Sequence, residues 1–332
     1  MNTKLNSDIN QHLHEMKKPN LTHQFPTMTR KEELLLHLEE KYATEEQPIE
    51  AYLEGLLHAK AINYWDYIQV DALFSLQKTR THFPDEMIFL MYHQVTELLL
   101  KLVTHELEQA TAEGGVSGSV LFEKIKRAKR YTEVAQMSFD VMREGMDPAQ
   151  YGKFRHTLTP ASGFQSATFR EIEFYCTDLW NLVMNRKKDE LKGSEDHDEL
   201  FKWIYWQMAG LDHKTGKKSL TLKQFEEKYM KTFRKLAHRY QKRNLWQQYL
   251  SLPQDEKTPE LIALMKEFDQ IFNVKWPLVH LRTAEHYLEH GKEVKAATGG
   301  SEWKKYLHPS YQRRMFFPEL LSKEEFENWG KD

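Results

Sequence analysis

The segment that most constrains the fold is PDEMIFLMYHQVTELLLKLVTHELEQA, residues 84–110. Its apolar residues, among them Met91, Val95 and Leu98, recur at spacings of three and four, the period of one face of an α-helix. A Gly-Gly pair follows at 114–115, and glycine is typical of the residues that end a helix. The pattern therefore predicts one helix of about seven turns.

Further helix signals occur along the chain, and no alternating strand pattern and no internal repeat occur beside them. Thr29 and Glu32 match a capping box, residues 119–145 have helical spacing, and Thr258-Pro259 pairs an N-cap residue with proline at the first helical position. Only 14 Gly and 11 Pro in 332 residues also favour helices over turns and sheets. We therefore predict an all-α fold, a multi-helix bundle.

Three regions are predicted within this bundle. Residues 1–60 form an N-terminal arm and a helical extension, residues 61–320 form the main helical domain, and residues 321–332 form a C-terminal tail. Within the main domain, residues 186–256 are more charged and less regular, which is typical of an insertion.

The charge balance argues against two classes of partner. Forty-seven basic and 49 acidic residues give a net charge of −2, so no overall field attracts nucleic acid or an anionic membrane. The N-terminus has no apolar signal-peptide region, and no run approaches 18 uncharged apolar residues. Cys176 is the single cysteine, so an internal disulfide is excluded. These features predict a cytoplasmic protein.

The run FRHTLTPASGFQS, residues 154–166, interrupts the helical pattern with an elbow rich in Gly, Pro and hydroxyl side chains. Ser162 and Gln165 match a second capping box, so the elbow is predicted to end in a helix N-terminus. Such an end carries free N–H groups and a partial positive charge, and Arg155 adds a guanidinium beside it. The elbow is therefore either a helix connection or the wall of an anion-binding pocket.

Motifs for other chemistries are weak or missing. His286 and His290 have the i, i+4 spacing of a shared metal site, but no third ligand accompanies them, and a solvated pair is the simpler interpretation. No inward-facing ExxH pairs, phosphate-binding glycine loop or nucleophile elbow is found. His93 and His280 each occur in an apolar setting, where core histidines are common. Together they suggest two imidazoles on opposite sides of a flat apolar cofactor such as haem.

Four long strings resemble the tryptophan 2,3-dioxygenase family, within a haem-dependent superfamily, in order and approximate spacing. They are INYWDYIQVDALFSLQ, PDEMIFLMYHQVTELLLKLVTHEL, FRHTLTPASGFQSATFREIE and WPLVHLRTAEHYL, with ATGGS following. The resemblance covers roughly residues 62–310. It implies an all-helical fold with haem b as the cofactor, L-tryptophan or a related indole and O2 as substrates, and a homotetramer.

The resemblance also implies roles for individual residues. His280 matches the proximal ligand of the haem iron, and His93 matches the distal histidine, a catalytic residue that hydrogen-bonds the indole N–H. Gly163 matches a residue that permits close approach to the haem, and Ser162 matches a hydroxyl residue over it that also contacts substrate. The remaining substrate-binding positions that the family motifs imply are Phe89, Tyr151, Arg155 and Thr298, with Tyr64 and Tyr67 reaching a neighbouring subunit's pocket.

Two departures from the family pattern stand out. The loop before Thr298 is longer than usual and has Ala297 where the family has glycine, and His286 replaces a family arginine. The resulting prediction is an oxidoreductase that inserts O2 across the indole C2–C3 bond of L-tryptophan to give N-formylkynurenine, the first step of the kynurenine pathway. The alternatives are a related haem enzyme that oxygenates a modified indole or another aromatic amino acid, by monooxygenation for example, and a haem- or tryptophan-binding protein without turnover.

Overall fold

The structure is a computed structural model of the chain. It describes residues 28–44, 48–211, 215–290, 293–294 and 307–331. The chain divides into two compact units, Met1–Ala72 and Leu73–Asp332. The predicted boundaries at 60 and 320 stay predictions.

The described part of the first unit is helical. It contains α1 (Arg30–Ala43), α2 (Ile49–His58) and α3 (Tyr64–Ile68). Tyr42 stacks on Tyr52 with ring centroids 3.9 Å apart, which joins α1 to α2. The capping box predicted at Thr29 is confirmed, because its side chain accepts the Glu32 N–H while the Glu32 carboxylate accepts the Thr29 N–H.

The second unit is built almost entirely of helices. After α4 (Val70–Ser75), which spans the division between the units, these are α5 (Asp85–Ala110), α6 (Gly118–Met137), α7 (Phe139–Gly145), α8 (Pro148–Phe154), α9 (Ala167–Cys176), α10 (Asn185–Lys188), α11 (His197–Lys202), α12 (Tyr205–Ala209), α13 (Leu220–Tyr240), α14 (Leu245–Ser251), α15 (Pro259–Gln270), α16 (Trp276–Leu288), α17 (Pro309–Gln312) and α18 (Lys323–Asn328). Short 3₁₀ turns lie at Arg155–Leu158, Gly163–Gln165, Leu179–Leu182, Gln254–Glu256 and Pro318–Leu320, and Ile271–Lys275 is a π-helical turn. The predicted all-α fold is confirmed.

The main core lies where α5 packs along α6, with α9 and α15 closing its sides. Leu100, Val103 and Leu107 of α5 are buried there, as are Leu121 and Ile125 of α6. A second apolar cluster lies within the predicted insertion, where large aromatic side chains of α11, α12 and α13 pack on Phe174. The insertion therefore has a core of its own that is fixed to α9.

The strongest helical pattern is confirmed in length, but one of its apolar faces is exposed among the residues that the structure describes. Met87, Met91, Val95, Leu98 and Leu102 of α5 are between 37% and 57% exposed, and this row is called the α5 stripe below. The buried face of α5 lies beside it. By length and composition, Asp85–Ala110 is the one described helix that could cross a membrane, which is weak evidence because core helices of soluble proteins pass the same test.

Two predicted boundaries differ from the structure. The helix predicted over 119–145 is broken at Ser138, whose hydroxyl donates to the Ala135 carbonyl and competes with the helical ladder. The helix after the elbow begins at Ala167 with Ser166 as its N-cap, while Gln165 ends a 3₁₀ turn that Ser162 directly precedes. The Gln165 side chain accepts the Ser162 N–H there.

Two further features complete the chain. Thr258 caps α15 as predicted, with its side chain accepting the Leu261 N–H. A two-residue antiparallel ladder, β1 (Glu289–His290) with β2 (Glu293–Val294), follows α16 and pairs Glu289 with Val294. The alternating pattern that predicts strands needs more residues than these, so the sequence contains no signal for them.

Candidate active site

One cavity in the second unit is lined by five of the ten predicted site residues, namely Phe89, His93, Tyr151, Ser162 and His280. The cavity has a volume of about 240 Å³ and is partly open to solvent. Its wall is made by α5, α7, α8, the elbow, α9, α16 and residues after 306. Phe89, Tyr92, Phe139 and Trp276 give this wall a mainly aromatic character.

His280 faces this cavity from α16, one turn after Trp276. The π turn at Ile271–Lys275 joins α15 directly to α16, so His280 lies on a continuous helical rod. Phe139 packs beside its ring at 5.6 Å between centroids. Burial, together with the nearby ring of His93, lowers the pKa of His280 to about 4. The imidazole is therefore neutral at pH 7, which is the form that binds metals.

His93 faces the same cavity from α5. Its Nδ1 atom lies 2.7 Å from the carbonyl oxygen of Phe89. Because a carbonyl only accepts, Nδ1 must carry the proton. Burial lowers the pKa of His93 below 6.5, so the ring is neutral and Nε2 is left as an acceptor. This geometry suits His93 to receive a hydrogen bond from a ligand N–H.

Phe89 and Tyr151 form an aromatic corner beside His93. The Phe89 ring lies 4.2 Å from the His93 ring and 5.9 Å from the Tyr151 ring. Tyr151 also packs on Tyr287, at 4.9 Å, and the Tyr287 hydroxyl donates to the carbonyls of Met142 and Met146. These bonds hold the Tyr287 ring in place against Tyr151, so the aromatic corner offers ring surfaces on which an aromatic ligand can pack.

The elbow residues reach the cavity to different degrees. Ser162 lines it, and its hydroxyl accepts the Phe164 N–H at 3.3 Å. Gly163 begins the 3₁₀ turn that follows. Arg155 is 4% exposed and lies 5.9 Å from the Tyr151 ring, behind the residues that line the cavity. The structure thus brings Arg155 and Tyr151 together, but only Tyr151 reaches the cavity surface.

The residues that line this cavity do not include the other predicted site residues. Thr298 lies outside the described residues. Tyr64 and Tyr67 belong to α3 of the first unit and are 72% and 75% exposed. His286 packs edge-on against Tyr287, and the His290 side chain is not described. In the described part of the chain, no group of three or more His, Cys, Asp or Glu side chains could hold a metal ion.

Two arginines in the cavity wall were missed by the sequence analysis. Arg170 and Arg314 both line the cavity, and both donate to Tyr205 and lie 3.4 Å from one oxygen of the Glu173 carboxylate. Glu173 is fully buried. The i, i+3 spacing of Arg170 and Glu173 within an apolar helix was a usable signal. Arg314 had none, because only the tertiary fold brings it here.

The cavity thus combines aromatic walls, two neutral imidazoles and a cationic wall. Haem has the matching features: a flat apolar ring, an iron that takes imidazole, and two carboxylates. The residues present therefore fit that group.

Comparison with known proteins adds independent information. Residues 54–203 match the family model described as tryptophan 2,3-dioxygenase. A protein of Ruegeria sp. (strain TM1040) named tryptophan 2,3-dioxygenase is 29% identical over 284 residues, covering 79% of this chain and 91% of the relative. A relative of the same name from Arthrobacter sp. (strain FB24) is 29% identical over 277 residues, with 79% and 90% coverage. One from Herpetosiphon aurantiacus is 40% identical over 124 residues, 35% of this chain and 45% of the relative.

Proposed function

We propose that the chain is a haem-dependent oxidoreductase that converts L-tryptophan to N-formylkynurenine. The proposal is supported by the similarity of the chain to proteins named tryptophan 2,3-dioxygenase over most of its length. The observation that carries the proposal is the pair of neutral imidazoles, His93 and His280, facing one aromatic cavity. When bound, haem would supply the iron at which O2 reacts with the indole C2–C3 bond.

Three residues would hold the cofactor in this proposal. The neutral imidazole of His280 is the iron ligand. Arg170 and Arg314 would bind the two propionates, since guanidinium and carboxylate form charge-assisted, bidentate pairs. Glu173 supports this role because it keeps both guanidiniums oriented toward one wall.

Positioning the substrate falls to the opposite side. The Nε2 atom of His93 accepts the indole N–H, and Phe89 packs on the ring. The Tyr151 hydroxyl and the Arg155 guanidinium attract the substrate carboxylate to the aromatic corner. Ser162 and Gly163 remain predicted contacts over the haem, and Thr298 remains a predicted substrate contact. Holding the reactants together in one cavity lowers the entropic part of the barrier.

The decisive experiment measures both cofactor and product. Purified protein reconstituted with haem is expected to show a Soret band. After anaerobic reduction and addition of L-tryptophan and O2, the absorbance of N-formylkynurenine should appear. A Soret band with a singly oxygenated product would support the monooxygenase alternative, and haem binding without product would support a binding protein. No haem uptake would contradict the proposal.

We also propose a cytoplasmic homotetramer. The α5 stripe supports it, because exposed rows of large apolar side chains mark interfaces more often than solvated surfaces. The exposed rings of Tyr64 and Tyr67 fit the prediction that α3 reaches a neighbouring subunit. Light scattering after size-exclusion chromatography would contradict the proposal if it gave a monomer mass at micromolar concentration.

A further inference from the structure

Residues 313–317 follow α17 and carry Arg314 to the cavity. Met315, Phe316 and Phe317 are buried directly after it. The Phe316 ring lies 5.3 Å from Phe272 of the π turn. We call residues 313–317 the C-terminal strap, since they hold a cavity residue without being part of a helix.

One carboxylate fixes the backbone of this strap. Asp269 of α15 is 1% exposed, and its Oδ2 atom accepts the N–H groups of Phe316 at 2.8 Å and Phe317 at 3.0 Å. Its Oδ1 atom accepts the Asn273 amide at 2.8 Å. Both carboxylate oxygens of Asp269 therefore accept hydrogen bonds from N–H donors. Asparagine has the same shape but only one acceptor oxygen, so it would accept only part of these bonds.

Two weaker bonds complete the fixation. The Thr177 hydroxyl donates to the Phe316 carbonyl at 2.6 Å, and the indole N–H of Trp329 donates to the Arg314 carbonyl at 2.8 Å. The strap is thus held immediately after Arg314 by Asp269 and Thr177, and at Arg314 itself by Trp329.

Asp269 also belongs to the element that carries His280. It lies at the end of α15, and the π turn continues that helix into α16 without a break. One side chain therefore ties the helix that bears the proposed iron ligand to the strap that bears Arg314. The relative position of these two groups depends on its hydrogen bonds.

We propose that Asp269 is a positioning residue of the cofactor pocket, which acts through Arg314 to set how slowly the cofactor dissociates. This inference rests on the proposed haem cofactor. A buried carboxylate could also serve folding alone, and the two roles differ in one respect. Only a positioning role makes the effect of Asp269 depend on the presence of Arg314.

The test is a double-mutant cycle on haem dissociation. Ferric holoprotein is mixed with excess apomyoglobin, and haem transfer is followed by absorbance. Asp269→Asn places an NH2 group against backbone or amide donors, and we expect about tenfold faster haem loss, a change of about 1.4 kcal/mol. Arg314→Gln should accelerate loss at least as much, and the double variant should match Arg314→Gln alone. Asp255→Asn, an exposed matched change in the turn Gln254–Glu256, should leave the rate unchanged.

Clear outcomes would overturn the inference. Unchanged haem loss in Asp269→Asn, or additive effects in the double variant, would show that Asp269 does not act through Arg314. If Asp269→Asn does not fold, Thr177→Val removes the strap bond to the Phe316 carbonyl, together with the bond that Thr177 accepts from Asn181, with little change in volume. The same dependence on Arg314 is required of that variant.

A haem-free measurement separates this inference from the proposed function. Trypsin cuts after arginine, so cleavage at Arg313 and Arg314 of the apoprotein reports how often the strap opens. Asp269→Asn should be cut several times faster there than the parent chain and Asp255→Asn. Equal cleavage rates would show that Asp269 does not hold the C-terminal strap, even if the protein binds haem. Faster cleavage of Asp269→Asn in a chain that takes up no haem would show that Asp269 holds the C-terminal strap. It would also refute the proposed haem cofactor, and with it the role of Asp269 in cofactor dissociation.

Discussion

The proposed role of His93 as a hydrogen-bond acceptor is tested by combining a variant of His93 with a substrate that lacks the indole N–H. The Nδ1 atom of His93 carries the ring proton, because it donates to the Phe89 carbonyl, and Nε2 is therefore an unprotonated acceptor. His93→Ala removes this acceptor. If Nε2 accepts the indole N–H, the variant leaves a buried donor without a partner. That costs about 1 to 3 kcal/mol, or roughly 5- to 150-fold in kcat/KM for L-tryptophan.

The assay compares L-tryptophan with 1-methyl-L-tryptophan, which has no indole N–H. Wild-type protein should favour L-tryptophan, and His93→Ala should remove most of that preference. His156→Ala is the matched control, because His156 is exposed in the elbow. If His93→Ala slows both substrates by the same factor, the hydrogen-bonding role is wrong and the ring acts only as a wall.

The same bond predicts a pH dependence. Burial lowers the pKa of His93 below 6.5, so the ring is neutral and able to accept at and above that pH. As the pH falls through the lowered pKa, a proton occupies Nε2 and the preference for L-tryptophan should decline. A preference that already declines between pH 8 and pH 7 would contradict the burial of this ring.

Three further predictions concern other parts of the molecule. His280→Ala should abolish stable haem binding, and a full Soret band in the purified variant would refute the assignment of the iron ligand. Arg155→Ala should weaken L-tryptophan binding by about 2 to 5 kcal/mol if its buried guanidinium pairs with the substrate carboxylate, as measured by titration under anaerobic conditions; an unchanged affinity would remove Arg155 from the site. Leu98→Glu places a charge in the α5 stripe, where the side chain is 57% exposed, and should reduce the assembly mass measured by light scattering without lowering the folded fraction. An unchanged mass would place the interface elsewhere.

The sequence patterns predicted where the helices lie better than they predicted which surfaces of those helices are buried. The three- and four-residue spacing of 84–110 identified α5, and the caps at Thr29 and Thr258 are as expected. The spacing cannot show whether a neighbouring helix or another molecule meets the α5 stripe, since both would produce the same pattern. Ser138 breaks its helix through a hydroxyl bond that serine also makes in intact helices.

The site was predicted in part for a similar reason. His93, Phe89, Ser162 and His280 belong to strings that resemble a family, and Tyr151 lies just before one of them. The structure brings all five to one cavity. Arg314 and Asp269 are far apart in sequence and resemble no motif that was recognised. Their roles follow from hydrogen bonds across the fold, which a pattern along the chain does not contain.

The π turn at Ile271–Lys275 also bears on how related chains should be aligned. A π turn holds one more residue than an α turn, and each residue of an α-helix rotates its successors by about 100°. A relative with one residue fewer in this segment would keep its downstream histidine facing the cavity if the segment closed as an ordinary α turn, whereas a relative of equal length without the π turn would rotate that histidine by about 100°. A one-residue gap before the histidine would therefore indicate a different helical geometry, and the number of residues between Asp269 and His280 is itself a structural constraint.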